Sequence, residues 1–122
     1  MSVRICIADD EDASRCLLHY NLNRASEVAN VSLEVEVIES PSEALLALSQ
    51  DHFDAIICDG TGWSEVINVA KDKTRLIVYT GDESLVYFWR EQGVPCFLKC
   101  SYSSIGLGYK GVTEELLKLA ML

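Results

Sequence analysis

The runs 3-VRICIA-8, 55-AIIC-58 and 75-RLIVYT-80 are rich in apolar, β-branched residues and hardly alternate in polarity. This continuity constrains the fold more than any other feature of the chain. A strand with one wet face alternates apolar and polar residues, whereas a strand covered on both faces does not. The runs are too short for buried helices. Helical patterns separate them, and strands and helices alternate five times along the chain. Such alternation predicts an α/β fold with a parallel sheet and helices on both faces. Its crossovers should be right-handed.

Ala13, Cys16, Leu17 and Tyr20 recur at helical spacing and place a helix over 12–28. Leu33, Val35 and Val37 alternate with Glu34 and Glu36, with Ile38 breaking the pattern before Glu39, as a half-exposed edge strand does. Ser40-Pro41-Ser42-Glu43 is a helix start: a capping serine, a first-turn proline and a glutamate able to close a capping box. Ala44, Leu45, Ala47 and Leu48 carry the apolar stripe that follows. A short helix is expected over 64–71, another at Leu85, Val86 and Trp89 ending near Gly93, and a fifth strand over 95–99. Thr113 is placed to cap a last helix. The segment 106-GLGYKG-111 fits a dinucleotide fingerprint only in letters, since no βαβ unit surrounds it.

With 122 residues, one domain covering 1–122 is expected, large enough for a core without staples. The five cysteines are odd in number and form no CxxC pair, so they read as small apolar residues in a reducing, cytoplasmic setting. No signal peptide and no membrane-length apolar run is found. The net charge of -9 argues against nonspecific binding to nucleic acid or anionic membrane.

In an open parallel sheet, ligands bind at the carboxyl ends of the strands. Those ends carry Asp9-Asp10, Asp59, Thr80 and Lys99. Two like charges at 4 Å cost about 4 kcal/mol at an effective dielectric near 20, so converging aspartates need compensation. Three aspartates, Lys99 and one divalent cation leave no net charge. An all-oxygen ligand set suits Mg²⁺. These are also the parts of phosphoryl transfer, which asks for a positioned nucleophile and cations on the equatorial oxygens. Asp59 can act as a carboxylate nucleophile. Asp9 and Asp10 can hold metal, and Lys99 and Thr80 can contact phosphoryl oxygens.

On the residues 7-IADDED-12, 56-IICDG-60, 77-IVYTGDE-83 and 96-CFLK-99, the chain resembles the receiver domain of bacterial two-component response regulators. The resemblance implies a flavodoxin-like, doubly wound five-stranded sheet of order 2-1-3-4-5. It implies Asp59 as phosphoacceptor from a histidine kinase or phosphotransfer protein, with catalytic Lys99 and Thr80. It also implies metal on Asp10, Asp59 and the carbonyl of Thr61, with Asp9 acting through water. The chain departs from the pattern in three places. The loop after the aspartate is Gly60-Thr61-Gly62-Trp63, and only 20 residues lie between Asp59 and Thr80, so the third helix should be short. Cys96 stands where an aromatic switch residue is usual, and Cys100 where a proline usually follows the lysine.

Two other functions compete. One is a binding-only pseudo-receiver acting as a scaffold, for which the aromatics Trp63, Tyr87, Phe88 and Trp89 could supply a docking surface. The other is a phosphatase-like enzyme with an Asp nucleophile, faintly suggested by 59-DGTG-62 but without a second aspartate two residues on. A receiver would be a self-phosphorylating acceptor rather than a turnover enzyme. Nothing in the sequence argues for or against a homodimer through the fourth or fifth helix.

Overall fold

The computed structural model describes residues 2–50, 52–99 and 118. Five parallel strands form one sheet in the order β2-β1-β3-β4-β5. They are β1 (Ser2–Ala8), β2 (Ser32–Ile38), β3 (Ala55–Asp59), β4 (Arg75–Thr80) and β5 (Cys96–Leu98). Helices α1 (Asp12–Ala29), α2 (Pro41–Gln50), α3 (Ser64–Ala70) and α4 (Glu83–Glu91) fill the crossovers. This is the expected flavodoxin-like arrangement, with the shortened third helix.

The strands sort their side chains by parity, as the two-residue repeat demands. Cys6, Ala8, Ile56, Cys58, Leu76, Val78 and Cys96 face one core, packed with residues of α2, α3 and α4. Val3, Ile5, Ile7, Ala55, Ile57, Ile77 and Tyr79 face the other, where Leu18 and Leu22 of α1 cover them. Every residue of β3 is buried, which is why its sequence does not alternate. At the edge, β2 leaves most of its residues partly or fully exposed until Ile38 turns into the first core.

The α1 stripe differs from the expectation. Ser14, Leu18 and Leu22 are its buried residues, while Cys16, Leu17 and Tyr20 face solvent. The buried face begins with a serine, so counting apolar residues favours the wrong side of the helix. At α2, the Glu43 N–H donates to Ser40 Oγ at 3.3 Å. The reciprocal bond of a capping box does not form among the described residues. The expected helix after Thr113 and the segment 106–111 lie outside the described residues. Among the described residues, no helix is long and apolar enough to cross a membrane.

Candidate functional site

β1 delivers Asp9 and Asp10 just beyond its last residue. The Asp9 N–H continues the pairing with β2 by donating to the Ile38 carbonyl at 3.0 Å. The Arg15 guanidinium donates to the Asp9 carbonyl at 3.0 Å and pairs with Asp12 at 2.7 Å and Glu39 at 3.3 Å. The β1–α1 turn is thereby tied to the end of β2. Asp59 closes β3, the central strand, and Thr80 closes β4. Lys99 follows β5, and its N–H donates to the Thr80 carbonyl at 2.6 Å. Five residues from four strands therefore reach one rim because parallel strands end together.

The aspartates and the lysine meet there. Lys99 Nζ lies 3.0 Å from Asp9 Oδ2 and 3.4 Å from Asp59 Oδ1. Asp9, Asp10 and Asp59 each offer an oxygen, and these atoms all lie within 4.8 Å of one another. Asp9 is 1% exposed and Asp59 8%, whereas Asp10 is open to solvent. Asp9 Oδ2 is closed off from water, and the ammonium is the positive charge that compensates it. Asp59 Oδ1 also accepts the Gly60 N–H at 2.7 Å.

Burial raises the Asp59 carboxyl above its usual range, and Asp9 adds to this; Lys99 and the Gly60 N–H oppose it without cancelling it. Burial pulls Lys99 down, but Asp9, Asp59 and Glu11 outweigh it and leave the ammonium held above its ordinary value. The two partners thus shift in opposite senses for their ionised forms. Geometry accounts for this: the ammonium lies closer to Asp9, so Asp59 receives the smaller share of its charge. Lys99 stays protonated, and the cup remains short of positive charge.

Thr80 is fully buried and lies against the loop after Asp59. A Cβ on Gly60 would sit 2.7 Å from Thr80 Cβ and 2.8 Å from its hydroxyl, so only glycine allows this approach. The Thr80 hydroxyl oxygen accepts the Asp82 N–H at 3.1 Å, which leaves its own proton to donate. Thr61 is exposed on the same loop, and no hydrogen bond or ion pair ties it to the carboxylates among the described residues. Trp63, 2% exposed, anchors the far end of this loop in the core.

The sequence reading did not single out Glu11. Its side chain reaches Lys99 Nζ at 4.0 Å and accepts the Ser14 hydroxyl at 2.6 Å. Its signal in the sequence was a third consecutive acid after β1. A concavity of about 520 Å³ lined by Arg4, Glu34, Val35 and Glu36 lies on the β2 edge, away from these strand ends. The convergence of charge marks the site.

Three hard carboxylate donors in mutual reach, one of them exposed, fit a divalent cation such as Mg²⁺. No family model and no curated protein sequence matches the chain. Solved structures do. Response regulator TrrA from Thermotoga maritima, crystallised in complex with Mg²⁺-BeF, superposes with a TM-score of 0.69 at 23% identity, over 96% of this chain and 98% of that one. The crystal structure of the P1 domain of CheA3 in complex with CheY6 from R. sphaeroides gives a TM-score of 0.61 at 20% identity, over 98% and 96%. A de novo designed Rossmann 2x3 protein also matches, with a TM-score of 0.66 at 17% identity, over 94% and 89%. The fold is therefore that of response-regulator receiver domains. A fold of this kind does not by itself fix a function.

Proposed function

We propose that this chain is a phosphoacceptor receiver of a bacterial two-component system, accepting a phosphoryl group on Asp59. The observation that carries the reading is Lys99 Nζ between two buried carboxylates, 3.0 Å from Asp9 and 3.4 Å from Asp59. A fold alone does not require a buried ammonium at that place. The likeness to TrrA and CheY6 supports the reading at the level of architecture.

In the proposed reaction, an Asp59 carboxylate oxygen attacks the phosphorus of a phosphohistidine on a kinase or phosphotransfer protein. The P–N bond breaks and its electron pair leaves with the imidazole. Oδ1 is held by the Gly60 N–H and Lys99, while Oδ2 makes no hydrogen bond or ion pair among the described residues. Oδ2 is therefore the attacking atom. Lys99 neutralises an incoming phosphoryl oxygen and the Thr80 hydroxyl donates to another. Asp10 and Asp59, with Asp9 beside them and the Thr61 carbonyl, would hold Mg²⁺. When bound, the cation supplies positive charge that offsets the phosphoryl oxygens. The free thiols Cys6, Cys16, Cys58 and Cys96 fit a reducing, cytoplasmic setting.

Incubation with Mg²⁺ and acetyl phosphate, read by intact mass, tests the reading. A single labile phosphate is expected on the native chain and none on Asp59→Asn. A chain that stays unmodified and shows no Mg²⁺ response is a scaffold. Sustained release of phosphate from many phosphomonoesters marks a phosphatase.

A further inference from the structure

Glu11 occupies the N-cap position of α1, yet its side chain makes no cap hydrogen bond. Shorter side chains serve better there, because their oxygens reach the N–H groups of the first turn. The Glu11 carboxylate instead meets a side chain of the first turn. The hydroxyl of Ser14, a residue only 5% exposed, donates to Oε1 at 2.6 Å and holds that atom 4.0 Å from Lys99 Nζ. The Glu11 N–H meanwhile donates to Asp9 Oδ1 at 2.8 Å. One residue thus grips Asp9 by its backbone and faces the ammonium with its side chain. Its side chain is 59% exposed, so solvent alone would let it roam. The buried serine prevents that.

We infer that Glu11 is a positioning residue that draws Lys99 away from an incoming anion and so limits how tightly the cup holds a phosphoryl group. Three aspartates and Lys99 balance one divalent cation. Glu11 adds a fourth carboxylate and leaves the loaded cup negative by one charge. That excess favours the cation and disfavours the anion. It acts through Lys99, which must choose between a carboxylate already in place and the phosphoryl oxygen that arrives. The inference rests on the receiver reading and adds to it a built-in limit on the lifetime of the signal.

The sign of the effect is what distinguishes this role from a merely structural one. Glu11→Gln keeps the shape and the acceptor for Ser14 but removes the charge. In the full chain, Mg²⁺ affinity, read by tryptophan fluorescence, should weaken. Beryllofluoride affinity at saturating Mg²⁺ should tighten by about three- to tenfold, the size of one unit charge acting over a short, partly wet distance. Both shifts should shrink when ionic strength rises from 0.05 to about 0.5 M, because an exposed charge is screened. Ser14→Ala should move both affinities in the same directions by less, by releasing the carboxylate. If native chain binds beryllofluoride but Glu11→Gln changes both affinities in one direction, or neither beyond twofold, the inference fails and the receiver reading stands. If native chain binds neither Mg²⁺ nor beryllofluoride, the receiver reading itself fails.

Discussion

The rim that holds Asp9, Asp59 and Lys99 and the packing between α4 and β5 adjoin, and they are built by opposite rules. The rim gathers charge that its one lysine does not fully balance. The α4–β5 packing is dry and filled: Val86, Trp89, Val94 and Cys96 are all buried in one apolar cluster. The comparison separates a chemistry from its transmission. The residues proposed to accept a phosphoryl group are placed by where strands end. The α4–β5 packing depends instead on side-chain volume, carried here by Val86, Trp89 and Val94 around the small Cys96. The strand position that usually carries an aromatic holds a small thiol, with its Sγ 3.8 Å from the Leu85 carbonyl. The helix facing it carries Trp89, 5% exposed, with its indole nitrogen buried and unpaired among the described residues.

The largest expected effect breaks the filled region. Trp89→Ala should cost about 3–5 kcal/mol in denaturant unfolding, as large-to-small changes in a core do. Mg²⁺ affinity at the rim should stay within twofold of native. Cys96→Phe alone should cost about 1–3 kcal/mol by overpacking. If the indole fills the room that the strand aromatic would take, the two changes compensate. The double variant should then be more stable than the sum of the single losses predicts, by about 1–3 kcal/mol of coupling. Simple additivity would mean that ring and thiol occupy unrelated spaces and that no exchange has occurred.

How much of this contrast could be read from residues alone follows the same division. The continuous runs at Ile5, Ile56 and Ile77 announced strands covered on both faces, whereas the sheet order came only with the resemblance to receiver domains. That Asp9, Asp10, Asp59, Thr80 and Lys99 share one rim was legible because a strand end is a position in sequence as well as in space. Glu11 was not, because its role depends on the Ser14 and Lys99 groups its side chain meets, not on the cap position it occupies. The face of α1 was misread because Ser14 is polar and buried while Leu17 and Tyr20 are apolar and exposed. Of the four aromatics weighed as a docking surface, Trp63 and Trp89 belong to the core, and Tyr87 and Phe88 stand 61% and 50% exposed. Neighbouring helix positions with similar side chains differ only in angle about the axis, which composition does not reveal.

A smaller effect sharpens the boundary between the two regions. Gly60 touches Thr80 on one side, and a Cβ there would lie 3.3 Å from Leu85 Cδ1 on the other. It therefore sits where the rim meets α4. Gly60→Ala should cost about 1–3 kcal/mol, since the first contact is with a buried, β-branched side chain that cannot yield freely. Phosphate uptake from acetyl phosphate should fall with it, because Thr80 and the Asp59 loop separate. Gly81→Ala is the control: a Cβ there meets open space, so stability should change by less than about 0.5 kcal/mol. Equal costs at both positions would remove the tight approach from the argument.

The smallest effect concerns Asp82, which links the two regions. Its N–H donates to the Thr80 hydroxyl at 3.1 Å, and its carboxylate caps α4 by accepting the Ser84 N–H at 3.0 Å and the Ser84 hydroxyl at 2.6 Å. The Ser84 hydroxyl, then the Ser84 N–H, hold the Asp82 carboxyl below its usual range. A carboxyl lowered by folding stabilises the native state above its unfolded pKa of about 3.9, and that stability is lost as pH falls through the folded value. The carboxylate is exposed, so water screens most of the gain, and the change in melting temperature should be slight. Asp82→Asn keeps an acceptor suited to the N-cap. It should melt close to native at pH 7 and lose less stability than native between pH 4 and pH 2. Parallel losses in the two proteins would mean that the cap works by hydrogen-bond shape alone, and that no charge on α4 takes part in joining the helix to the rim.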